Sequence, residues 1–360
     1  MASSTSTVNA IVSDSAAQLH WNDSIEEQSH GFKRPENVSS EDYRAFLTVY
    51  MPVLSRRSKR WQEQGWTFDI TQLPSDRSDA RKLKRFIRKG IPPELRPTMW
   101  MCCTGAAERM QQRPELFSQL IALSESNAQA VHAIQLDLDR TFPDNKNFKS
   151  ARGKVSKHQL DLILRAISVR YPEIGYCQGL NYLAALMLIV LESPEKSFWL
   201  LDSSLQQVKD YYVADMSGLK TEMFALTELI REKDRDVYDS LSKNGVDLIL
   251  TSSKWFLCWY LDILPIETVL RVWDCFFYEG PKILIRVALT LLIYSKKALK
   301  RSRNFMEAAD VLKHVGSSKP VLDCHSFMQD IFTKPGRLSR EKVTKLRQQY
   351  CDITDDRTTR

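Results

Sequence analysis

Glycine and proline are sparse in this chain, 12 and 14 of 360 residues, and no segment alternates apolar and polar residues convincingly with the period of two that a half-buried strand needs. The shortage argues against strands and tight turns and for helices. Long hydrophobic runs are missing too. The longest, "YLAALMLIVL" (Tyr182 to Leu191), is about half of the roughly 20 residues that cross a bilayer. No basic stretch precedes the few apolar residues of the N-terminus, so no secretory signal is expected. Residues 1–30 carry acids but no arginine, unlike a mitochondrial transit peptide. The seven cysteines are odd in number, form no CxxC pair and keep no zinc spacing with the six histidines. Free thiols in a reducing cytosol are expected, with no bound metal. GxSxG, HExxH and GxxxxGK[ST] are absent, which removes the usual hydrolase signatures and leaves the chain without a nucleotide cradle of its own.

What is present describes a soluble helical protein. Hydrophobic residues at 43% and charged residues at 26% are ordinary for a globular chain, and the length allows a large core. The net charge of +7 is clustered in "RRSKR" (Arg56 to Arg60), "RKLKRFIRKG" (Arg81 to Gly90) and "KKALKRSR" (Lys296 to Arg303). Such runs form solvated helix faces, or meet an acidic protein or an anionic membrane leaflet. Nucleic acid is not an expected partner, because no recognised binding module accompanies the charge.

Along the chain, residues 1–38 begin Ser/Thr/Asn-rich and aperiodic and are expected to be disordered. Residues 39–87 hold N-terminal helices and a linker, with a first short helix interrupted near Pro52. From residue 88 helices follow one another. Asn127 caps a helix with Val131, Ile134 and Leu138 on one face, stopped by Pro143. Leu160, Ile163, Leu164 and Ile167 keep helical spacing up to Pro172. Ser193 and Pro194 start another helix. "SKWFLCWYLDIL", "PIETVLRVWDCFFYEG" and "PKILIRVALTLLIYSKKALK" continue the pattern, and "DITDDRTTR" reads as a polar tail. The fold class expected from this pattern is all-α.

Two places carry candidate chemistry. Asp137 and Arg140 lie three apart on a helical face away from Val131, Ile134 and Leu138. An ordinary surface ion pair would satisfy that spacing, yet Arg140 falls at the frayed end of its helix, where a guanidinium can project while the carboxylate steadies it. In "GYCQGLNYL", Gly175 and Gly179 permit a tight turn whose backbone approaches another molecule closely. Tyr176 and Gln178 alternate around Cys177. A buried, unpaired glutamine would cost about 1–3 kcal/mol, so Gln178 either satisfies backbone groups at a helix junction or is exposed for use. An exposed Arg and an exposed Gln have one joint use: arginine offsets charge on the phosphate oxygens during GTP hydrolysis, and an amide orients the attacking water. Cys177 has no identifiable histidine partner and reads as structural.

"GIPPELRPTMW" with Arg96 and Trp100, "IQLDLDRTFPDN" with Ile134, Asp137 and Arg140, and "GYCQGLNYLAA" with Tyr176 and Gln178 together resemble, in order and spacing, the three signature motifs of TBC-domain Rab GTPase-activating proteins. The resemblance covers residues 88–280, with a helical extension of the same fold over 281–350 and a tail at 351–360. It implies a two-lobed all-helical TBC domain in which Arg140 is an arginine finger and Gln178 a glutamine finger, acting in trans on a GTP-bound Rab-family small GTPase. Asp137, Tyr176, Gly175 and Gly179 would orient the fingers, and Arg96, Trp100 and Ile134 would be structural. Arg271 and Asp274 in "RVWD" look like an internal pair. Leu180 stands where the family often has Met, a volume-conserving change. The implied protein needs no cofactor of its own, since GTP and Mg2+ belong to the partner. It would work in the cytoplasm, with peripheral endomembrane contact through the basic stretches. A non-catalytic Rab-binding effector, or a membrane-surface adaptor, are the competing readings.

Overall fold

The computed structural model describes residues 29–34, 38–64, 73–74, 76–125, 127–149 and 154–358, with the last seven described by backbone alone. No strand element occurs among them. Two helices open the described chain, α1 (Ser40–Glu63) and α2 (Arg77–Lys89). A first group comprises α3 (Arg96–Cys103), α4 (Ala106–Gln112), α5 (Leu116–Ser124), α6 (Ala128–Leu138), α7 (Lys157–Arg170), α8 (Leu180–Leu191) and α9 (Pro194–Leu205). A second comprises α10 (Ser217–Lys233), α11 (Arg235–Lys243), α12 (Leu248–Leu257), α13 (Ile266–Glu279), α14 (Lys282–Arg301), α15 (Phe305–His314), α16 (Cys324–Thr333) and α17 (Arg340–Thr358). Local chemistry sets the starts. Ser39, Asp76, Asn127, Ser156 and Ser193 each accept a first-turn backbone N–H, and Ser156 with Gln159 closes a capping box.

Each group is built round one apolar helix. In α8 every residue but Tyr182 is buried, and α7, α9, α3 and α6 pack on it. In the second group α14 has that place, against α10, α11, α13, α15 and α16. A helix apolar all round, such as α8, must be enclosed by others, and α14 is buried in the same way from Ile283 to Leu292, giving the two lobes. The lobes share a continuous core through α13, which meets α2 and α3. Trp100, Trp259, Trp273, Phe276 and Phe277 interlock there, with Trp259 and Phe276 centroids 4.7 Å apart.

Polar ties fix that seam. Asp274, fully buried, accepts from Trp100 Nε1 at 2.8 Å, from Arg96 Nε at 3.2 Å and from the Ile91 N–H at 3.2 Å. Arg96 and Trp100 are therefore structural, tying the first motif to a helix nearly two hundred residues on. Arg271 is buried as well, but it donates to the Arg88 carbonyl at 3.1 Å, and the ion pair of Asp274 is with Arg96. The internal Arg271–Asp274 pair expected from the sequence is thus replaced by two longer-range contacts.

Four further expectations change. The α1 helix runs through Pro52 without interruption. One lost N–H is outweighed by tertiary anchors on both sides: Tyr50 donates to Glu267 at 2.8 Å and Trp61 Nε1 to the Gly90 carbonyl at 3.0 Å. The segment "SKWFLCWYLDIL" is helical only to Leu257, because Trp259 and Tyr260 adopt left-handed backbone (φ 45° and 68°) that aims both rings into the core. The polar tail is the end of α17, helical to Thr358. Residues 1–28 of the expected disordered leader lie outside the described residues, but 29–34 are held: Phe32 meets Phe142 edge-on at 4.9 Å, and Asn145 and Asn147 both donate to the His30 carbonyl. Most of the expected linker also lies outside the described residues.

Trp100→Ala should cost about 3–5 kcal/mol in urea unfolding, since it removes a large buried ring and one donor to Asp274. A second expectation concerns His30. Burial, and after it the Arg96 guanidinium, push its imidazole from 6.5 down to about 4. The unfolded chain therefore takes up this proton first, and stability should fall as pH drops from 6.5 towards 4. Thermal unfolding of His30→Asn, a residue that tolerates left-handed backbone, should show a smaller loss over that window than the unaltered protein.

Candidate functional site

The α6 helix ends at Leu138 and is anchored at both ends of its apolar face: Ile134 is fully buried, and the Asn127 cap accepts from the Ala130 N–H at 3.2 Å. Asp137 does not lie on a solvent face as the helical wheel predicted. It is 1% exposed, because the loop after α7 covers it. Arg140, just beyond the helix end, pairs with one Asp137 oxygen while its own side chain stays 53% exposed. The Tyr176 hydroxyl donates to the other oxygen. One buried carboxylate thus holds two residues 36 positions apart in the chain, Arg140 and Tyr176. Burial, then the hydrogen bond to Asp137, then that carboxylate's charge, hold the Tyr176 hydroxyl pKa far above its ordinary value of 10.

The loop from Tyr171 to Leu180 depends on two glycines. Gly175 has φ +59° with open space where a Cβ would stand, and its N–H bonds the Tyr171 carbonyl at 2.8 Å. Gly179 has φ +115°, which side chains rarely adopt, and seats against Leu257 and Cys258 at the end of α12. Between them Tyr176 turns to Asp137, while Gln178 is exposed, and among the described residues its carboxamide has no hydrogen-bond partner. Cys177 is half-buried, and burial pushes its thiol pKa up, the opposite of what a nucleophile needs.

Asp137, Arg140, Tyr176, Gly175, Gln178 and Gly179 therefore share one site, with Ile134 behind it in the core. Arg96 and Trp100 are not hydrogen-bonded to any of them and belong to the Asp274 seam. Three neighbours escaped the sequence reading. Thr141, 1% exposed, donates to the Asp137 carbonyl at 2.6 Å, and Asn181, fully buried, donates to Thr141 Oγ1 at 2.7 Å. The Tyr182 hydroxyl reaches the Arg140 carbonyl at 3.3 Å, and its ring meets Phe142 edge-on at 5.3 Å. The only signal for them was adjacency to the motif residues. The Arg140 guanidinium is thus partly exposed and paired with Asp137, and the Gln178 carboxamide is exposed on the neighbouring loop. Among the described residues no group of three His, Cys, Asp or Glu could hold a metal ion, and no helix is long and apolar enough to cross a membrane.

A family model described as the Rab-GTPase-TBC domain matches residues 93–300. Growth hormone-regulated TBC protein 1 of Homo sapiens is 39% identical over 320 residues, 89% of this chain and 93% of that protein. The Xenopus tropicalis protein of that name is 38% identical, covering 89% and 92% respectively. Among solved structures, the Chlamydomonas flagellar RabGAP TBC domain aligns with a TM-score of 0.71 and 31% identity, over 86% of this chain and all of that one. The Ypt/Rab-GAP domain of Gyp1p, at 20% identity, aligns with a TM-score of 0.63 over 78% and 98%, a likeness of fold.

The raised Tyr176 pKa has a direction that can be tested. The folded state keeps this proton longer than the unfolded chain, so its contribution is complete below pH 10 and is lost as pH rises beyond. Tyr176→Phe should flatten the decline in thermal stability above pH 10, monitored by circular dichroism.

Proposed function

The chain belongs to the Rab-GTPase-TBC domain family, and on that premise we propose that it is a GTPase activator that supplies catalytic groups in trans to a GTP-bound Rab-family GTPase. The observation that carries this reading is the pair of exposed side chains, Arg140 and Gln178, presented from segments tied together beneath the surface. Arg140 offsets the charge that develops on the phosphate oxygens, and Gln178 orients the attacking water. Asp137 and Tyr176 hold the arginine in place from below. Tyr176 also presents its backbone to the GTPase, and Gly175 and Gly179 allow the loop to approach. The nucleotide and Mg2+ come with the partner, and the reaction product is a Rab switched off for vesicle traffic.

The setting we infer is the cytoplasm, with peripheral contact at endomembranes. The observation behind that contact is the exposed face of α2, Arg81, Lys82, Arg85 and Lys89. In the same run Lys84 and Arg88 close on Glu279 at 2.9 and 2.6 Å.

Single-turnover GTP hydrolysis by a panel of purified Rabs tests the reading. Arg140→Lys keeps a cation beside Asp137 but loses the guanidinium fork. It should lower the stimulated rate of the responsive Rab by about 10³-fold or more, in line with what an arginine in trans contributes. Gln178→Ala should abolish most stimulation without moving the melting temperature, since its carboxamide is exposed. A well-folded protein that binds a GTP-loaded Rab and never accelerates it would be an effector instead.

A further inference from the structure

The two segments that carry Arg140 and Gln178 are joined by a residue to which neither motif assigns a role. We propose that Asn181 is a positioning residue that fixes the loop of Gln178 against the segment of Arg140. This inference rests on the activator reading for its consequence in catalysis, but the tie itself is a property of the free protein.

The Asn181 side chain is fully buried and uses both ends of its carboxamide. Its Oδ1 accepts from the Gly179 N–H at 3.0 Å, one residue beyond Gln178. Its Nδ2 donates to Thr141 Oγ1 at 2.7 Å, one residue beyond Arg140. The Thr141 hydroxyl in turn donates to the Asp137 carbonyl at 2.6 Å, so it is committed as donor and can only accept from Asn181. The donor order along the chain is therefore fixed: Asn181, Thr141, Asp137 carbonyl. An aspartate at 181 could keep the bond from Gly179 but, ionised, could not donate to Thr141. Every atom of the chain is shielded from water, where hydrogen bonds are directional and costly to leave unmade.

Gly179 gives the tie its leverage. With φ at +115° the loop makes its sharpest departure there, immediately after Gln178. A hydrogen bond on the Gly179 N–H thus fixes the peptide plane that leaves Gln178. The neighbouring Tyr182–Arg140 carbonyl bond and the Asp137–Tyr176 bond constrain the same two segments from the sides. Neither engages the backbone next to Gln178. Displacing a reacting group by about 1 Å can cost about a hundredfold in rate, so a small slip at this junction should appear in turnover before it appears in binding.

Thr141→Val keeps the shape and removes the acceptor, while Thr141→Ser keeps the hydroxyl. On the Rab that the wild type stimulates, Thr141→Val should lower the maximal single-turnover rate by about tenfold to a hundredfold. The half-saturating protein concentration should stay within about twofold, a split that general destabilisation would not give. Thr141→Ser should recover most of the loss. Asn181→Ala should lower the rate similarly, and the double variant Thr141→Val/Asn181→Ala no further than either alone. Hydrogen exchange in the free protein is the second arm: residues 175–182 should exchange faster in Thr141→Val and at the wild-type rate in Thr141→Ser. A maximal rate unchanged in Thr141→Val, or a loss that serine does not rescue, would overturn the role in catalysis. Unchanged exchange would overturn the tie. If the wild type stimulates no Rab, the activator reading fails on its own, and exchange still decides whether Asn181 positions the loop.

Discussion

The Asp137 carboxylate is the interaction on which the site depends. It is buried to 1% and carries two partners of different kinds, a guanidinium that reaches out of the protein and a phenol that closes over it. A buried carboxylate without partners would be driven to neutralise, whereas one that is paired and hydrogen-bonded holds its partners in a fixed geometry. Arg140 is consequently held through one terminal nitrogen of its guanidinium while its side chain stays half-exposed. That combination is what a group needs if it must meet charge on another molecule without first being ordered.

The same device recurs away from the site. Asp274 joins Arg96 and Trp100, and Asp202 joins Arg109 at 2.9 Å, Arg170 at 3.0 Å and the Tyr171 hydroxyl at 2.9 Å. In each case a carboxylate exposed by 1% or less receives a guanidinium and an aromatic donor from a distant part of the chain. Apolar helices pack well in several rotations and registers, because dispersion and hydrophobic burial are not directional. A buried carboxylate with two committed donors distinguishes one of these registers. The aromatic partner packs by its ring and bonds by its edge, serving core and network together. The Asp202 node also anchors Tyr171, whose carbonyl begins the Gly175 loop, so the loop of Gln178 is tied to a polar node at its entry and to Asp137 in its middle.

How much of this was legible in the sequence varies with the range of the physics. Helix starts at Asn127 and Ser193 depend on groups within four residues and were readable as caps. The all-α class came from periodicity, and the exposure of Gln178 from its glycine-flanked loop. Where the sequence misled, a distant partner decided. The wheel put Asp137 on the outer face of α6 because nothing local reveals that Tyr176 covers it. Pro52 reads as a break until Tyr50 and Trp61 are seen to anchor α1 on both sides. The end of α12 at Leu257 was invisible because a left-handed Trp259–Tyr260 step is held by the aromatic core, against local preference. Nothing in the sequence marks Asn181, whose carboxamide meets Thr141 from forty residues away.

The arrangement separates the residues that meet a partner from those that hold them there. Gln178 is exposed and the Arg140 side chain half-exposed, whereas Asp137, Thr141 and Asn181 are each no more than 1% exposed. Substitution of an exposed tip removes chemistry and leaves the fold almost untouched, whereas loss of a buried support leaves unpaired polar groups in the core. The bonds that join the Asp137, Thr141 and Asn181 segments lie within the protein, beneath the exposed side chains they support.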